Sequence, residues 1–247
     1  MSAKKIRDPV YGYIEIDDII IDNIINTATF QRLRNVRQTG YAPLYPASFH
    51  NRFVHSLGVY HLGKMAFDVI CKSAPNHKCN SIPSTKTVYD LLTKEEWELY
   101  RKLFELACLL HDVGHAPFSH TGEEFYSNSR SKVEIKLNDD ELKNKTADEI
   151  ANLKRYTYVR HLSQLTGDEG FHDAKNPAVK DSAAPHEIMS AIVGISAFEK
   201  CFSNDSERSF FARCITGLPY VEAMQLSRKN CLEMGQVEFC EVQKKTF

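Results

Sequence analysis

The sequence predicts a mostly helical, all-α protein with a short extended segment or hairpin at its N-terminus. Three observations lead to this prediction: apolar residues recur at helical spacing along most of the chain, no fully buried strand is evident, and a capping box opens one long apolar helix. The length of 247 residues suits one large domain, and a hydrophobic fraction of 43% is ordinary for a globular protein.

The first elements follow from a change of period near residue 17. Residues 5–16 alternate apolar and polar side chains around an Asp-Pro pair and a glycine, which predicts an extended segment or a hairpin. From Asp17 the apolar spacing becomes helical, and either Thr27 or Thr29 can cap the helix that follows. Gly40 and the prolines after it predict a loop.

Two long helices are predicted in the middle of the chain, with a polar loop between them. The first spans 54–70 and carries His55 in its first turn. We expect its apolar face to pack on the core, and this face comprises Leu57, Leu62, Met65, Ala66 and Val69. The second helix spans 97–110, and Thr93 with Glu96 forms the capping box before it.

The remainder of the chain begins with a polar stretch over 127–183, where charges are many and large apolar side chains are few. We expect this stretch to be an insertion or lid over the functional site. An apolar helical pattern returns at Pro185, which can begin a helix. Further helices are predicted at 139–153, 156–166, 207–216 and 219–232.

The charge balance and the cysteines limit the partners and the compartment. With 31 basic and 32 acidic residues the net charge is -1, which disfavours nucleic acid and anionic membranes as partners. The seven cysteines are odd in number and form no CxxC pair, a usage typical of a reducing cytoplasm. No apolar run approaches the roughly 20 residues of a membrane span, and the N-terminus lacks a signal-peptide pattern. We therefore expect a soluble, cytoplasmic protein with no membrane partner.

Residues 106–120 stand out, because an apolar helical run ends in His111 and Asp112, with Gly114 and two more histidines close behind. Divalent cations take imidazole nitrogen and carboxylate oxygen together. Side chains at adjacent positions diverge by about 100° around a helix. His111 and Asp112 can therefore share a cation only near a helix end, where Gly114 gives the chain freedom to bend. His55, on a separate helix, can approach the same cation from another side.

Other interpretations of the histidines stay open at this point. A single His-Asp pair is a weak signal, and His55 alone is equally typical of a helix terminus or a protein core. His61 faces helical neighbours and is as typical of a structural as of a functional residue. The histidines in polar segments are interpreted as solvent-exposed, and they are His50, His77, His161 and His172.

The order His55, then His111-Asp112, resembles the H…HD…D signature of the HD-domain metal-dependent phosphohydrolases. Further segments resemble the deoxynucleoside triphosphate (dNTP) triphosphohydrolase branch of that superfamily, and the likeness is dense over 5–125. These segments are 8–12, 30–34, 38–40, 50–59, 111–120 and 185–187.

The resemblance implies a single HD domain over 1–247 and a hydrolase that converts a dNTP to the deoxynucleoside and inorganic triphosphate. It implies one divalent metal ion (Mn, Fe, Co, Ni, Zn or Mg), with ligands at His55, His111 and Asp112. The substrate-binding residues that it implies are Arg52, at a phosphate, and Gln38, at the sugar. The catalytic residues that it implies are His115, His120, Glu123 and His186, with Glu123 in place of the family's aspartate behind His120.

The sequence departs from the family pattern near its end. The family's last metal ligand is an aspartate in a later helix, whereas Asp205 is the last aspartate of this chain. Residues 218–232 resemble the helix that leads toward that ligand and 233–242 do not, so we expect a chain truncated or frame-shifted near residue 232. Two alternatives therefore stay open: an inactive or nucleotide-binding fragment, and a hydrolase of another nucleotide. A homo-oligomer is left open as well.

Overall fold

The computed structural model describes residues 2–39, 49–76, 87–123, 158–171 and 183–218. In these ranges the chain forms an N-terminal hairpin followed by helices, which confirms the all-α prediction. The hairpin strands are β1 (Ala3–Asp8) and β2 (Gly12–Asp17). The helices are α1 (Asp18–Ile20), α2 (Ala28–Gln31), α3 (Arg52–Ser73), α4 (Lys94–Leu110), α5 (158–166), α6 (Pro185–Ala197) and α7 (Asp205–Thr216).

The N-terminal segment is an antiparallel hairpin, the second of the two predicted forms. Its turn is stabilised because the Asp8 carboxylate accepts hydrogen bonds from the backbone N–H groups of Val10 and Tyr11, at 2.8 and 2.9 Å. Ile14 and Ile16 alternate toward the interior and are both 0% exposed. The hairpin is therefore fixed to the helical core by one face of β2.

A short helical stretch connects the hairpin to α3. Thr27 caps α2, since its Oγ1 accepts a hydrogen bond from the N–H of Phe30 at 3.3 Å. A 3-10 turn, Arg32–Asn35, follows. An isolated antiparallel β-bridge then pairs Arg37 with Asn51. This bridge joins the segment after α2 to the residue that precedes α3.

Helix α3 begins at Arg52 rather than at residue 54, because Asn51 Oδ1 caps the N–H of Val54 at 3.1 Å. Its predicted core face is largely wrong, since Leu62, Met65 and Val69 are 45%, 54% and 64% exposed, and Ala66 is exposed too. The physical reason is rotational, because Leu62 lies five residues beyond the buried Leu57, about 140° around the helix axis. The buried stripe consists of Arg52, Phe53, Ser56, Leu57, Gly58, Tyr60, Gly63 and Phe67.

Helix α4 begins with the predicted capping box. Thr93 Oγ1 accepts a hydrogen bond from the N–H of Glu96 at 3.2 Å, and the Glu96 carboxylate accepts one from the N–H of Thr93 at 2.7 Å. The apolar stripe of α4 ends in Leu109 and Leu110, which are both 0% exposed. The residues that follow stay buried at the end of this firmly packed helix, since Asp112, Val113 and His115 are at most 1% exposed.

Residues 158–171, part of the predicted insertion or lid, contribute Val159, Leu162 and Phe171 to the core. Asp168 fixes this segment to α7, because its carboxylate accepts hydrogen bonds from Nε and Nη2 of Arg213, at 2.9 and 2.7 Å. The assignment of 127–183 as a lid stays a prediction.

The last described helices agree with the sequence. Pro185 is the first residue of α6, and the Glu187 carboxylate accepts a hydrogen bond from the N–H of Ala184 at 2.6 Å. The predicted helices at 139–153 and 219–232 lie outside the described residues, as does the C-terminal segment that departs from the family pattern. Within the described ranges, no helix has both the length and the apolarity to cross a membrane.

Candidate active site

The three predicted metal ligands converge at one end of the α3–α4 pair. The Nε2 atoms of His55 and His111 lie 3.2 Å apart. Asp112 Oδ2 lies 3.5 Å from His55 Nε2 and 3.4 Å from His111 Nε2. The structure therefore brings two imidazole nitrogens and one carboxylate oxygen to a single point.

These donor atoms fit a divalent cation. An ion such as zinc lies about 2.1 Å from its ligand atoms, so two ligands are separated by about 3.0 Å at right angles and about 3.4 Å at tetrahedral angles. The three separations of 3.2, 3.4 and 3.5 Å match these values closely. Two imidazoles and a carboxylate also suit borderline transition-metal ions by donor chemistry.

The imidazole of His111 is oriented by the backbone of α4. Its Nδ1 lies 2.8 Å from the carbonyl oxygen of Cys108. A carbonyl oxygen can only accept a hydrogen bond, so Nδ1 carries the proton and Nε2 keeps its lone pair. This is the tautomer that a metal ligand at Nε2 requires.

The electrostatics of His55 and Asp112 favour their ligand forms. Burial, with His111 beside it, lowers the pKa of His55 to about 4, so this imidazole is neutral at physiological pH. Burial by itself would raise the pKa of Asp112. Contacts with His111, His115 and Arg52 outweigh burial and hold the pKa of this carboxyl below its usual range. Asp112 is therefore ionised.

The turn that follows α4 is held from two sides. Arg32 donates hydrogen bonds to the carbonyl oxygens of Val113 and His115, the second at 2.8 Å. From the other side, Ser190 Oγ in α6 accepts a hydrogen bond from the N–H of Gly114 at 2.9 Å. Elements far apart in sequence thus fix the backbone of the ligand-bearing turn.

Gly114 is required for a close approach rather than for a bend. A Cβ atom at this position would lie 2.2 Å from the backbone nitrogen of Ser190 and 2.4 Å from the carbonyl carbon of Met189. Its φ is not positive. The flexibility expected from the sequence is therefore the wrong reason for this glycine, which instead lets the backbone of α6 reach the turn.

Arg52 connects the metal ligands to a second group of side chains. It is 3% exposed, and its Nη1 donates to Asp112 Oδ2 at 2.7 Å. Nη2 donates to Ser119 Oγ at 2.7 Å and lies 3.2 Å from His120 Nε2. Nε has no hydrogen-bond partner among the described residues. A buried guanidinium with an unsatisfied N–H is suited to binding phosphate, whose oxygens match its planar fork.

The second group consists of His115, His120, Glu123 and His186, whose donor atoms lie within 4.8 Å of one another. Glu123 Oε1 accepts a hydrogen bond from Nδ1 of His120 at 2.6 Å and from Nδ1 of His186 at 2.7 Å. The rings of His115 and His186 stack with their centroids 4.1 Å apart. One oxygen of Glu123 thus orients the imidazoles of both His120 and His186.

Two of these imidazoles are neutral because they are buried. Burial lowers the pKa of His115, and burial with His115 beside it lowers the pKa of His186 to about 4. His115 is 0% exposed, and its Nε2 lies 3.3 Å from Asp112 Oδ1. Its Nδ1 has no hydrogen-bond partner within the described ranges. The site therefore combines the charge of Arg52 with polar nitrogens that still have hydrogen-bonding capacity.

Gln38, the predicted sugar contact, lies beside the bridge that leads to α3. Its backbone N–H donates to the carbonyl oxygen of His50 at 3.2 Å. Its side-chain Oε1 is buried without a hydrogen-bond partner in the described part of the chain. The bridge thus brings Gln38 near the first residue of α3, Arg52, and leaves its side-chain oxygen able to accept a hydrogen bond.

The remaining described histidines stand apart from the two groups. His50 is exposed, as predicted. His161 is exposed as well, and it lies on α5, within the helix predicted at 156–166. His61 is half-buried on α3. His77 and His172 lie outside the described residues.

Three side chains that hold the site received no role from the sequence: Arg32, Ser119 and Ser190. Arg32 and Ser119 stand inside segments that resemble the family, so the resemblance marked their position but not their contacts. Ser190 carried no signal, because a serine in an apolar helix is unremarkable in sequence. Its role depends on α6 packing against the turn after α4.

Fold and site together define a class of protein. Residues 52–162 match the HD domain family, and this range contains Arg52, the three converging metal-ligand candidates and Glu123. Residues 52–162 of the chain thus form an HD domain.

Individual relatives extend this assignment. The chain is 36% identical over 129 residues to the uncharacterized protein YwfO of Bacillus subtilis (strain 168), covering 51% of this chain and 25% of that protein. It is 36% identical over 125 residues to the deoxynucleoside triphosphate triphosphohydrolase SAMHD1 homolog of Dictyostelium discoideum, covering 50% and 21%. It is 35% identical over 120 residues to deoxynucleoside triphosphate triphosphohydrolase SAMHD1 of Homo sapiens, covering 48% and 16%.

These matches confirm the predicted superfamily and its dNTP triphosphohydrolase branch. The similarity is confined to part of each relative, because the matched segment spans a quarter or less of its length.

Proposed function

We propose that this protein is a metal-dependent phosphohydrolase that converts a dNTP and water to a deoxynucleoside and inorganic triphosphate. The observation that carries the proposal is the convergence of His55, His111 and Asp112 donor atoms, at most 3.5 Å apart, beside the buried Arg52. The substrate class is suggested by the activity named for the two SAMHD1 relatives.

Three side chains would hold the metal ion, which we propose to be one of Mn, Fe, Co, Ni, Zn or Mg. A divalent cation, when bound, supplies positive charge and lowers the pKa of a water molecule that acts as nucleophile. Asp112 contributes a negative charge, and His55 is already neutral, so neither has to lose a proton at neutral pH.

Arg52 provides the fixed positive charge for the phosphate groups. Phosphate cleavage depends mainly on positioning and on stabilising negative charge that spreads over the oxygens. The guanidinium is buried and anchored by Asp112 and Ser119, so it does not have to reorganise during the reaction. His115 and His186 lie beside His120 and provide neutral imidazoles that can donate or accept hydrogen bonds.

His120 is the proposed general acid. Water attacks the α-phosphorus, the bond from phosphorus to the 5′ oxygen breaks, and that oxygen takes a proton from the imidazole. The attacking water loses one proton to the solvent, and His120 regains one proton from the solvent before the next reaction. The His120 side chain is 64% exposed and therefore accessible to substrate, while Glu123 accepts a hydrogen bond from its Nδ1 and orients the ring. Gln38 is proposed to contact the sugar.

The proposal is tested with the purified chain, each of the six metal ions and each of the four dNTPs. Inorganic triphosphate is measured by ion chromatography. We expect release with at least one combination, loss of release in His111→Ala, and retention of activity in the matched control His161→Ala, which changes an exposed histidine on α5. No release with any combination contradicts the proposal.

Two further measurements separate the alternatives. Elemental analysis that finds no stoichiometric metal, together with no product, supports an inactive or nucleotide-binding chain. Hydrolysis of a different nucleotide, identified by product analysis, keeps the enzyme class and changes the substrate.

A cytoplasmic location and a homo-oligomeric assembly stay predictions. The cysteines of the described ranges are free, as a reducing compartment requires, and they are Cys71, Cys108, Cys201 and Cys214.

A further inference from the structure

Ser119 has an unusual backbone conformation. In the described part of the chain it is the only residue other than glycine with a positive φ, at 54°. This left-handed region brings Cβ too close to the following carbonyl oxygen and is tolerated best by glycine, asparagine and aspartate. Strain of this kind persists only where the surrounding structure imposes it, and it is found disproportionately at functional sites.

The contacts of Ser119 explain what imposes the strain. Ser119 is 5% exposed, and its Oγ accepts a hydrogen bond from Nη2 of Arg52 at 2.7 Å. Nε2 of the next residue, His120, lies 3.2 Å from the same nitrogen. Consecutive side chains point to opposite faces of a strand and diverge by about 100° on a helix. The left-handed backbone at Ser119 allows both side chains to meet one guanidinium nitrogen.

The guanidinium of Arg52 is anchored at two different nitrogens. Asp112 holds Nη1 and Ser119 holds Nη2, each at 2.7 Å. One anchor leaves a planar group free to swing about the anchored nitrogen, whereas two anchors fix its plane. Fixing the plane also fixes the direction of Nε, which has no hydrogen-bond partner among the described residues.

We propose that Ser119 is a positioning residue whose hydroxyl fixes the guanidinium plane of Arg52 for binding the triphosphate group of the substrate. The strained backbone is retained because it is the conformation that delivers this hydroxyl. The inference rests on the proposed function, since that function supplies the triphosphate ligand.

The test compares Ser119→Ala with Ser119→Gly. Both variants lose the hydroxyl, but only glycine relaxes at a φ of 54°. The affinity of the full chain for inorganic triphosphate is measured by isothermal titration calorimetry in one Mn²⁺-containing buffer. We expect both variants to bind about tenfold more weakly than wild type, because each loses a hydrogen bond to a charged group. We expect Ser119→Gly to melt about 2–4 °C above Ser119→Ala.

A purely structural role predicts a different result. Affinity would then follow melting temperature, and the glycine variant would bind more tightly than the alanine variant. Equal affinities at unequal stabilities support the proposal, and affinities that rise with stability overturn it. Wild-type affinity in both variants, or no binding by wild type, overturns it as well.

A double-mutant cycle identifies Arg52 as the group through which Ser119 acts. In an Arg52→Gln background, Ser119→Ala should cause no further loss of triphosphate affinity. The matched control is Ser163→Ala, which removes a hydroxyl that donates to the Asp168 carbonyl oxygen at 2.8 Å, in the segment bonded to α7. It should leave triphosphate affinity unchanged. An additive loss in the double variant contradicts the proposal.

Binding of inorganic triphosphate also keeps the two proposals distinguishable. A wild-type chain that binds triphosphate in the expected Ser119-dependent manner but releases none from any dNTP refutes only the proposed function. A chain that hydrolyses dNTPs while Ser119→Ala binds triphosphate normally refutes only the role of Ser119.

Discussion

Replacing Gly114 by alanine tests the packing that holds the candidate metal ligands. The new Cβ would lie 2.2 Å from the backbone nitrogen of Ser190 and 2.4 Å from the carbonyl carbon of Met189. Because both atoms belong to the backbone of α6, no side-chain rotation can relieve the overlap. Either α6 or the turn after α4 must move by about 1 Å to restore ordinary contact distances.

The expected cost follows from this displacement. Overpacking an interior site costs about 1–3 kcal/mol, and a backbone overlap belongs at the upper end. Separating the turn from α6 also breaks the hydrogen bond from Gly114 N–H to Ser190 Oγ, which contributes about 1 kcal/mol more. A total near 4 kcal/mol lowers the melting temperature by about 8–16 °C for a chain of this size.

Metal binding should fall with stability in this variant, because Asp112 stands two residues before Gly114. We expect metal affinity, measured by isothermal titration calorimetry, to fall by at least the roughly 10–100-fold that follows loss of ligand-orienting contacts. Gly217→Ala is the control, since Gly217 has a φ of +66° in open space after α7. It should destabilise the fold by about 1 kcal/mol through backbone strain alone and leave metal affinity unchanged. Wild-type stability and metal affinity in Gly114→Ala would refute the packing argument.

Three further predictions follow from the same contacts. Arg32→Lys removes the planar guanidinium that donates to two carbonyl oxygens, so metal affinity should fall about 10-fold or more. The control Arg208→Lys, at a partly exposed ion pair with Asp205, should not change metal affinity. Unchanged metal affinity in both variants contradicts the role of Arg32. Glu123→Gln removes the charge shared by two imidazoles, so kcat should fall about 10²–10⁴-fold with metal content unchanged, and Glu123→Asp should retain more activity. Burial lowers the pKa of His186 to about 4 from 6.5, so the unfolded chain binds more protons than the folded chain between these pH values. The melting temperature should therefore fall as the pH drops through this range, and it should fall less steeply in His186→Asn. An equal dependence of melting temperature on pH in the two proteins would contradict this prediction.

Local signals in the sequence predicted the elements that carry local chemistry. The capping box at Thr93 and Glu96 and the proline that begins α6 each depend on residues a few positions apart, and both are present. The core face of α3 could not be predicted in this way. Its apolar residues occupy more than one stripe, and only tertiary packing decides that Leu57 is buried while Met65 is exposed.

The candidate site likewise contains residues that the sequence predicted and residues whose role depends on tertiary packing. His55, His111 and Asp112 were predicted as a set, from donor chemistry and resemblance, and the structure places their donor atoms together. Arg32 and Ser190 were missed, because each acts on the turn after α4 across more than 70 positions of sequence. A sequence pattern specifies which donors are present, whereas contacts of this range depend on how helices pack.

Arg52 and His55 stand three residues apart in the first turn of α3, a continuous helix of 22 residues. The rise of the helix sets their separation along its axis at about 4.5 Å. The spacing between the backbone atoms of Arg52 and His55 is thus set by one continuous helix. His120 and Glu123, in contrast, lie on a 3-10 turn of five residues. Ser119 is the first residue of that turn and holds the guanidinium of Arg52, so variation in the turn would move the guanidinium while the backbone spacing on α3 stays constant.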